Sequence, residues 1–272
     1  MDPGTRISLG ALVAEVRGLD FSLAGQGTWL ADFVCDDPPD VIVEATFGDR
    51  PASEWTHSEI LDARADAASR VVEVRVTEWH ATFDLAARRV RAKVGGRWPL
   101  AVDSLLKTVL QIYVIELGMG LLLHAASVER GGRAYVFTGR SGAGKTTAAL
   151  LSAEAGATIL SEEMTVICGL DRDGDLVVPT LPFRQRLGIP MRPARVPLAG
   201  LYVLEQADED AVVPLPPAQQ ILRIAATTSI GVRDALLMAP ALDLARRLTA
   251  RTPAAMLRFR ETPRFWQAID TS

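Results

Sequence analysis

The chain has 272 residues, with 29 Lys and Arg against 33 Asp and Glu; a net charge of −4 excludes a general nucleic-acid binder, which needs a basic excess to hold phosphates. Its 49% apolar and 23% charged residues suit a globular chain with a core in one large or two modest domains. The most apolar stretch, Val109 to Leu123, is broken by Gln111, Glu116, Gly118 and Gly120, which excludes a bilayer span and predicts no membrane partner.

Cys35 and Cys168 match no metal or redox spacing and read as two buried small apolar residues. The N-terminal stretch lacks a signal-peptide pattern, so a cytoplasmic protein is expected.

Residues 1–98 read as a β-rich N-terminal domain. Val41 to Phe47 is a β-favouring run bounded by Asp36 to Asp40 and by Gly48-Asp49. Val72, Val74 and Val76 alternate with Glu73, Arg75 and Thr77, giving one apolar and one wet face. Val90, Ala92 and Val94 repeat the pattern after a polar turn at Asp84 to Arg89. His57 and His80 have no second ligand at metal spacing and read as surface or half-buried residues. This segment offers no chemistry of its own.

Residues 99–272 read as a second domain. Pro99 to Leu117 is a helix, with Pro99 in the first turn and Leu105, Leu106, Val109, Leu110, Tyr113 and Leu117 as an apolar stripe. Leu121 to Glu129 is a strand, Arg130 to Arg133 a hairpin turn, and Ala134 to Thr138 a second strand. Gly139-Arg140-Ser141-Gly142-Ala143-Gly144-Lys145-Thr146, followed by Thr147, spells the phosphate-binding loop G-x-x-x-x-G-K-[ST]. Its glycines let the backbone turn and aim N–H groups at an anion. Lys145 is expected to reach the β- and γ-phosphates of ATP, and Thr146 to ligate Mg²⁺. Lysine is scarce elsewhere, at Lys93 and Lys107 alone. Thr146 to Ala155 is helix-forming and Gly156 stops it, so a helix N-terminus lies under the phosphates.

Ala157 to Ile167 then forms two apolar half-strands around Ser161-Glu162-Glu163. Acids that interrupt a buried strand fit Mg²⁺ and proton handling beside a triphosphate, or a bulge with solvated carboxylates. Val166 to Val178 reads as a hairpin around Asp171 to Asp175. Pro179, Pro182, Pro190, Pro193 and Pro197 predict no regular element over 179–197. Arg184, Arg186, Arg192 and Arg195 in that loop fit a clamp on phosphate or acidic substrate, and equally a plain surface loop. Leu201 to Leu204 and Met256 to Phe259 are strands; Pro217 to Ala226, Arg233 to Arg251 with a break at Pro240, and Pro263 to Ile269 are helices. The fold class is therefore α/β with an α+β tendency, the second domain holding a mixed sheet.

The stretch LLLHAASVERGGRAYVFTGRSGAGKTTAALLSAEAGATILSEEM resembles the catalytic core of HPr kinase/phosphorylase and its relatives, which share a nucleotide-binding fold with phosphoenolpyruvate carboxykinase. Arg258-Phe-Arg and Phe265-Trp266 are similar to the tail of that family. The resemblance implies that Gly139 to Thr147 hold ATP, that Glu163 joins Thr146 on Mg²⁺, and that Glu162 is the base for an acceptor hydroxyl. It also implies that His124 orients Glu162; without it, a histidine on an apolar strand reads as a core residue. The family usually carries Asp-Asp or Asp-Glu where this chain has Glu162-Glu163, and its downstream glycine-rich signature is missing around Phe183 to Pro190. This points away from HPr as substrate and towards peptide-modifying relatives, such as kinases of lasso-peptide precursors. The implied activity is transfer of the ATP γ-phosphate to a hydroxyl, serine above all, on a peptide or protein, with 1–98 recruiting the substrate and the chain in a homo-oligomer. The alternatives are a kinase of a small hydroxyl compound, such as a free amino acid or sugar, and a non-catalytic nucleotide-binding regulator.

Overall fold

The computed structural model describes residues 4–19, 28–48, 60–95, 98–183, 192–228 and 235–272. Its contacts divide the chain into two units: residues 1–117 with the short pieces 182–184 and 230–239, and the remainder of 118–272. The class is α/β in the broad sense, with mixed sheets and helices.

The first unit contains β1 (Thr5–Ser8), β2 (Val13–Arg17), α1 (Thr28–Ala31), β3 (Val41–Phe47), β4 (Ile60–Asp66), β5 (Val71–Val76), β6 (Trp79–Asp84), β7 (Arg89–Val94) and α2 (Trp98–Glu116). The strands form a seven-stranded sheet in the order β1-β2-β3-β7-β6-β5-β4, parallel at β2–β3 and β3–β7 and antiparallel elsewhere. Val72, Val74, Val76, Val90, Ala92 and Val94 are buried while Glu73 and Arg75 face solvent, as the alternation predicts. His80 is exposed, and His57 lies outside the described residues. The helix α2 groups with this sheet. The buried Tyr113 hydroxyl donates to the carbonyls of Asp84 at 2.9 Å and Arg89 at 3.3 Å, and burial pushes its phenol pKa up. Trp79 Nε1 donates to Ser104 Oγ at 3.2 Å.

The second unit begins with β8 (Gly120–Arg130), β9 (Arg133–Thr138) and α3 (Lys145–Glu154), followed by β10 (Thr158–Ser161), β11 (Met164–Cys168), β12 (Val177–Pro179) and β13 (Arg195–Gln206). It continues with β14 (Ala211–Pro214), α4 (Pro217–Thr227), α5 (Ala235–Arg251), β15 (Ala254–Phe259) and α6 (Phe265–Asp270), taking α5 from Pro240 onward. The hairpin β8–β9 turns on Gly131 and Gly132, both at positive φ (61° and 76°), the signature of a two-residue turn matched to strand twist. On β8, β10 and then β11 pair in one interrupted antiparallel ladder, with a register shift between Ile159 and Ser161. β9 also pairs in parallel with β13, and β13 in parallel with β15, so the sheet is mixed. β12 links β11 to β13, so the ladders β8–β11–β12–β13–β9–β8 close on themselves.

β13 departs from the expectation that prolines exclude regular structure up to Pro197. Pro197 lies within it, paired with Val177, because the ladder to β9 starts only at Leu198 and no amide hydrogen is needed on that side before it. An aromatic cluster fixes the C-terminus: Phe137 sits 5.9 Å from Phe265 and 6.1 Å from Trp266, edge to face. Trp266 Nε1 also donates to the buried Ser152 Oγ on α3 at 3.2 Å, so α6 anchors the helix that carries the loop.

Candidate functional site

The loop leaves β9 at Thr138 and enters α3 at Lys145. Two glycines are required by space as well as by backbone angle. A Cβ on Gly139 (φ 154°) would stand 2.9 Å from Ala143 Cβ, and one on Gly144 (φ 94°) 2.8 Å from Cζ of the buried Phe259. Gly144 is the N-cap of α3 and no side chain caps that helix, so its first amides are open to an anion. Lys145 is buried, 7% exposed, and its Nζ donates to the carbonyls of Gly139 at 3.1 Å and Arg140 at 3.0 Å. Burial holds its pKa below the ordinary lysine value, and the Glu163 carboxylate pulls the other way.

The facing wall is built from β8 and the β10–β11 break. His124, half-buried, pairs in register with Met164, and its carbonyl accepts from Thr138 Oγ1 at 3.1 Å. Ser161 Oγ donates to the Met164 carbonyl at 2.6 Å and accepts from the Met164 N–H at 3.2 Å, closing a tight turn around Glu162 and Glu163. Glu162 is 4% exposed.

These pieces meet in one cleft of about 450 Å³, lined by His124, Ser141, Gly142, Gly144, Lys145, Thr146, Thr147, Glu162, Glu163 and Gln206. Gln206 was not foreseen; its signal was a polar residue just past the apolar run Leu201 to Leu204. It ends β13, the parallel neighbour of β9, and ligands gather at the carboxyl ends of parallel strands. A second cavity of about 380 Å³ adjoins it, sharing His124 and Ser141 and bounded by Gly139, Arg140, Val203, the α4 residues Leu222, Arg223, Ala226 and Thr227, and Thr228 just past that helix. Arg192 and Arg195 are exposed and line neither cavity: the Arg192 backbone carbonyl accepts from Thr180 Oγ1 at 2.7 Å, and Arg195 Nη2 lies 3.6 Å from Cys168 Sγ. Arg184 and Arg186 lie outside the described residues. Among the described residues, no helix is long and apolar enough to cross a membrane.

A family model described as "ScmC: SynChlorMet cassette protein ScmC" matches residues 97–272. The chain belongs to the ScmC family. This overturns the expected kinship with HPr kinase/phosphorylase and lasso-peptide kinases. Apart from the looser likeness at Arg258-Phe-Arg and Phe265-Trp266, the residues that carried it, Leu121 to Ile167, cover the hairpin, the loop, its helix and the acids, which phosphate chemistry imposes on unrelated chains alike. The ScmC match instead runs from the start of α2 to the C-terminus, and every residue of the cleft lies within it. No curated protein matches the chain.

Proposed function

We propose that this member of the ScmC family is an ATP- and Mg²⁺-dependent phosphotransferase acting on a hydroxyl, serine above all, of a peptide or protein. The observation that carries the reading is one cleft lined by an uncapped helix start, a buried lysine, two carboxylates and a histidine. Phosphoryl transfer asks for this set: a cradle for polyphosphate, neutralising positive charge and a base for the attacking hydroxyl.

The amides of the loop and of the α3 start would bind the β-phosphate, with Lys145 across the β- and γ-phosphates. The donor set fits Mg²⁺, which binds through a hydroxyl, one or two carboxylates and phosphate oxygens; Thr146 and Glu163 would hold it. Bound there, it would neutralise charge on the phosphates. Glu162 would take the proton of the acceptor hydroxyl, and His124 beside it would hold that carboxylate in orientation. As the hydroxyl oxygen bonds to the γ-phosphorus, the bond to the bridging β–γ oxygen breaks. ADP leaves with that electron pair.

The test is transfer of label from γ-labelled ATP to peptides encoded in the same cassette, with Lys145→Ala as control. The expected result is a phosphopeptide from the unaltered chain and none from the control. Label on a small metabolite alone, or ATP binding without transfer to any component, overturns the reading.

A further inference from the structure

The 380 Å³ cavity beside the cleft has an end defined by chemistry. On the phosphotransfer reading the Lys145 ammonium would mark the γ end of the triphosphate, and it is bonded to the carbonyls of Gly139 and Arg140, residues that also line this cavity. His124 lines both spaces. A group held in the second cavity therefore meets the γ end of the nucleotide, the side from which an in-line acceptor arrives.

The far wall is anchored at two points. Gln220 of α4 donates through Nε2 to the Leu215 carbonyl at 2.7 Å and accepts from the Ala254 N–H at 3.0 Å, while Thr228 bridges Leu123 of β8. Between these anchors the lining is chiefly apolar, with Val203 inside and the exposed Leu222, at 65%, and Ala226 at the rim. Two guanidiniums, Arg140 and Arg223, complete it. A small compound is normally enclosed on most of its surface. An open rim carrying an exposed leucine and two cations suits a chain that runs on across the helix.

We propose that this cavity is the acceptor subsite, and that it takes a peptide whose reacting serine stands beside an apolar residue and a carboxylate, the apolar side chain on Leu222 and the carboxylate on Arg223. The proposal rests on the phosphotransfer reading for the serine's fate, and on the cavity alone for the peptide's recognition.

The test is binding of a fluorescein-labelled peptide with one serine between leucine and aspartate, and of its twin with lysine for aspartate. Leu222 and Arg223 are exposed, so their substitution spares the core. The unaltered chain should prefer the aspartate peptide. Arg223→Glu should weaken it about tenfold or more and reverse the preference, as charge complementarity requires. Leu222→Asp should weaken both peptides, and ATP affinity on the same samples reports an intact fold. Equal affinity of both variants and the unaltered chain for the aspartate peptide overturns the subsite, as does transfer to free serine with neither peptide bound. Peptide binding as expected without any phosphate transfer leaves the subsite standing and removes the phosphotransfer reading instead.

Discussion

The N–H of Ala125 donates to the carbonyl of Glu163 at 3.1 Å, carrying the β8 ladder straight through the break between β10 and β11. One residue along β8 from that bond is His124. The bond sets the two acids level with the histidine, and Ser161, clasped to both backbone groups of Met164, keeps the turn closed.

Ser161→Ala should therefore loosen the turn. Losing a buried hydroxyl leaves the Met164 N–H and carbonyl without that partner, at about 1–3 kcal/mol. Urea unfolding should register the loss, and the proposed nucleotide-dependent transfer should fall although Ser161 is given no step in it. A variant with unchanged stability and transfer would show that the clasp is idle.

Lys145→Ala and Glu162→Gln should separate binding from chemistry. The first removes the charge that the proposed function places across the phosphates, so both nucleotide affinity and transfer should collapse. The second keeps shape and hydrogen-bonding capacity but removes the carboxylate proposed as the base. Transfer should fall about 100-fold or more while calorimetry finds nucleotide affinity nearly unchanged. Transfer by Glu162→Gln at the original rate would remove Glu162 from the mechanism.

Gly144→Ala and Gly142→Ala form a matched pair. Both glycines have positive φ, 94° and 80°, so each alanine carries a backbone cost of about 1–2 kcal/mol. A Cβ at 142 meets nothing within 4 Å, whereas at 144 it drives into the Phe259 ring. Thermal unfolding should show Gly144→Ala as clearly the worse of the two. Equal losses would mean that the ring gives way.

Lys145 also predicts a pH dependence. Burial lowers its folded pKa, so between that value and the ordinary value of about 10.4 the unfolded chain binds the extra proton. Stability from this residue should rise with pH across that window and be complete above it. Denaturant midpoints of the unaltered chain minus those of Lys145→Met, followed upward through pH 10, should show the rise. Adding inorganic triphosphate, which favours the charged amine, should flatten it. A difference that falls with pH would reverse the assigned sign.

Much of the site was legible because its signals are local. Glycine spacing, the lysine and a helix-forming run specify strand, loop and helix through backbone sterics over a dozen residues or so. The alternating valines of β5 and β7 and the stripe on α2 were legible for the same reason. The paired acids were visible as an anomaly, charge inside an apolar strand. Gln206 and the α4 wall carried little such signal, since neither lies near the loop in sequence. β13 was foreseen only as Leu201 to Leu204, because its proline-bearing start depends on where β9 stops pairing.

By itself, the sequence determined a glycine-rich loop between strand and helix, a strand histidine, twin acids and an α/β chain, since each is written in the spacing of near neighbours. Only the tertiary structure decided that His124, Glu162, Glu163 and Lys145 line one cleft, and that an apolar cavity opens beside it. Those facts depend on strand register and on the closed circuit of ladders through β8, β11, β12, β13 and β9. Register is a choice among distant partners, made by burying apolar faces together, and no short-range pattern records it.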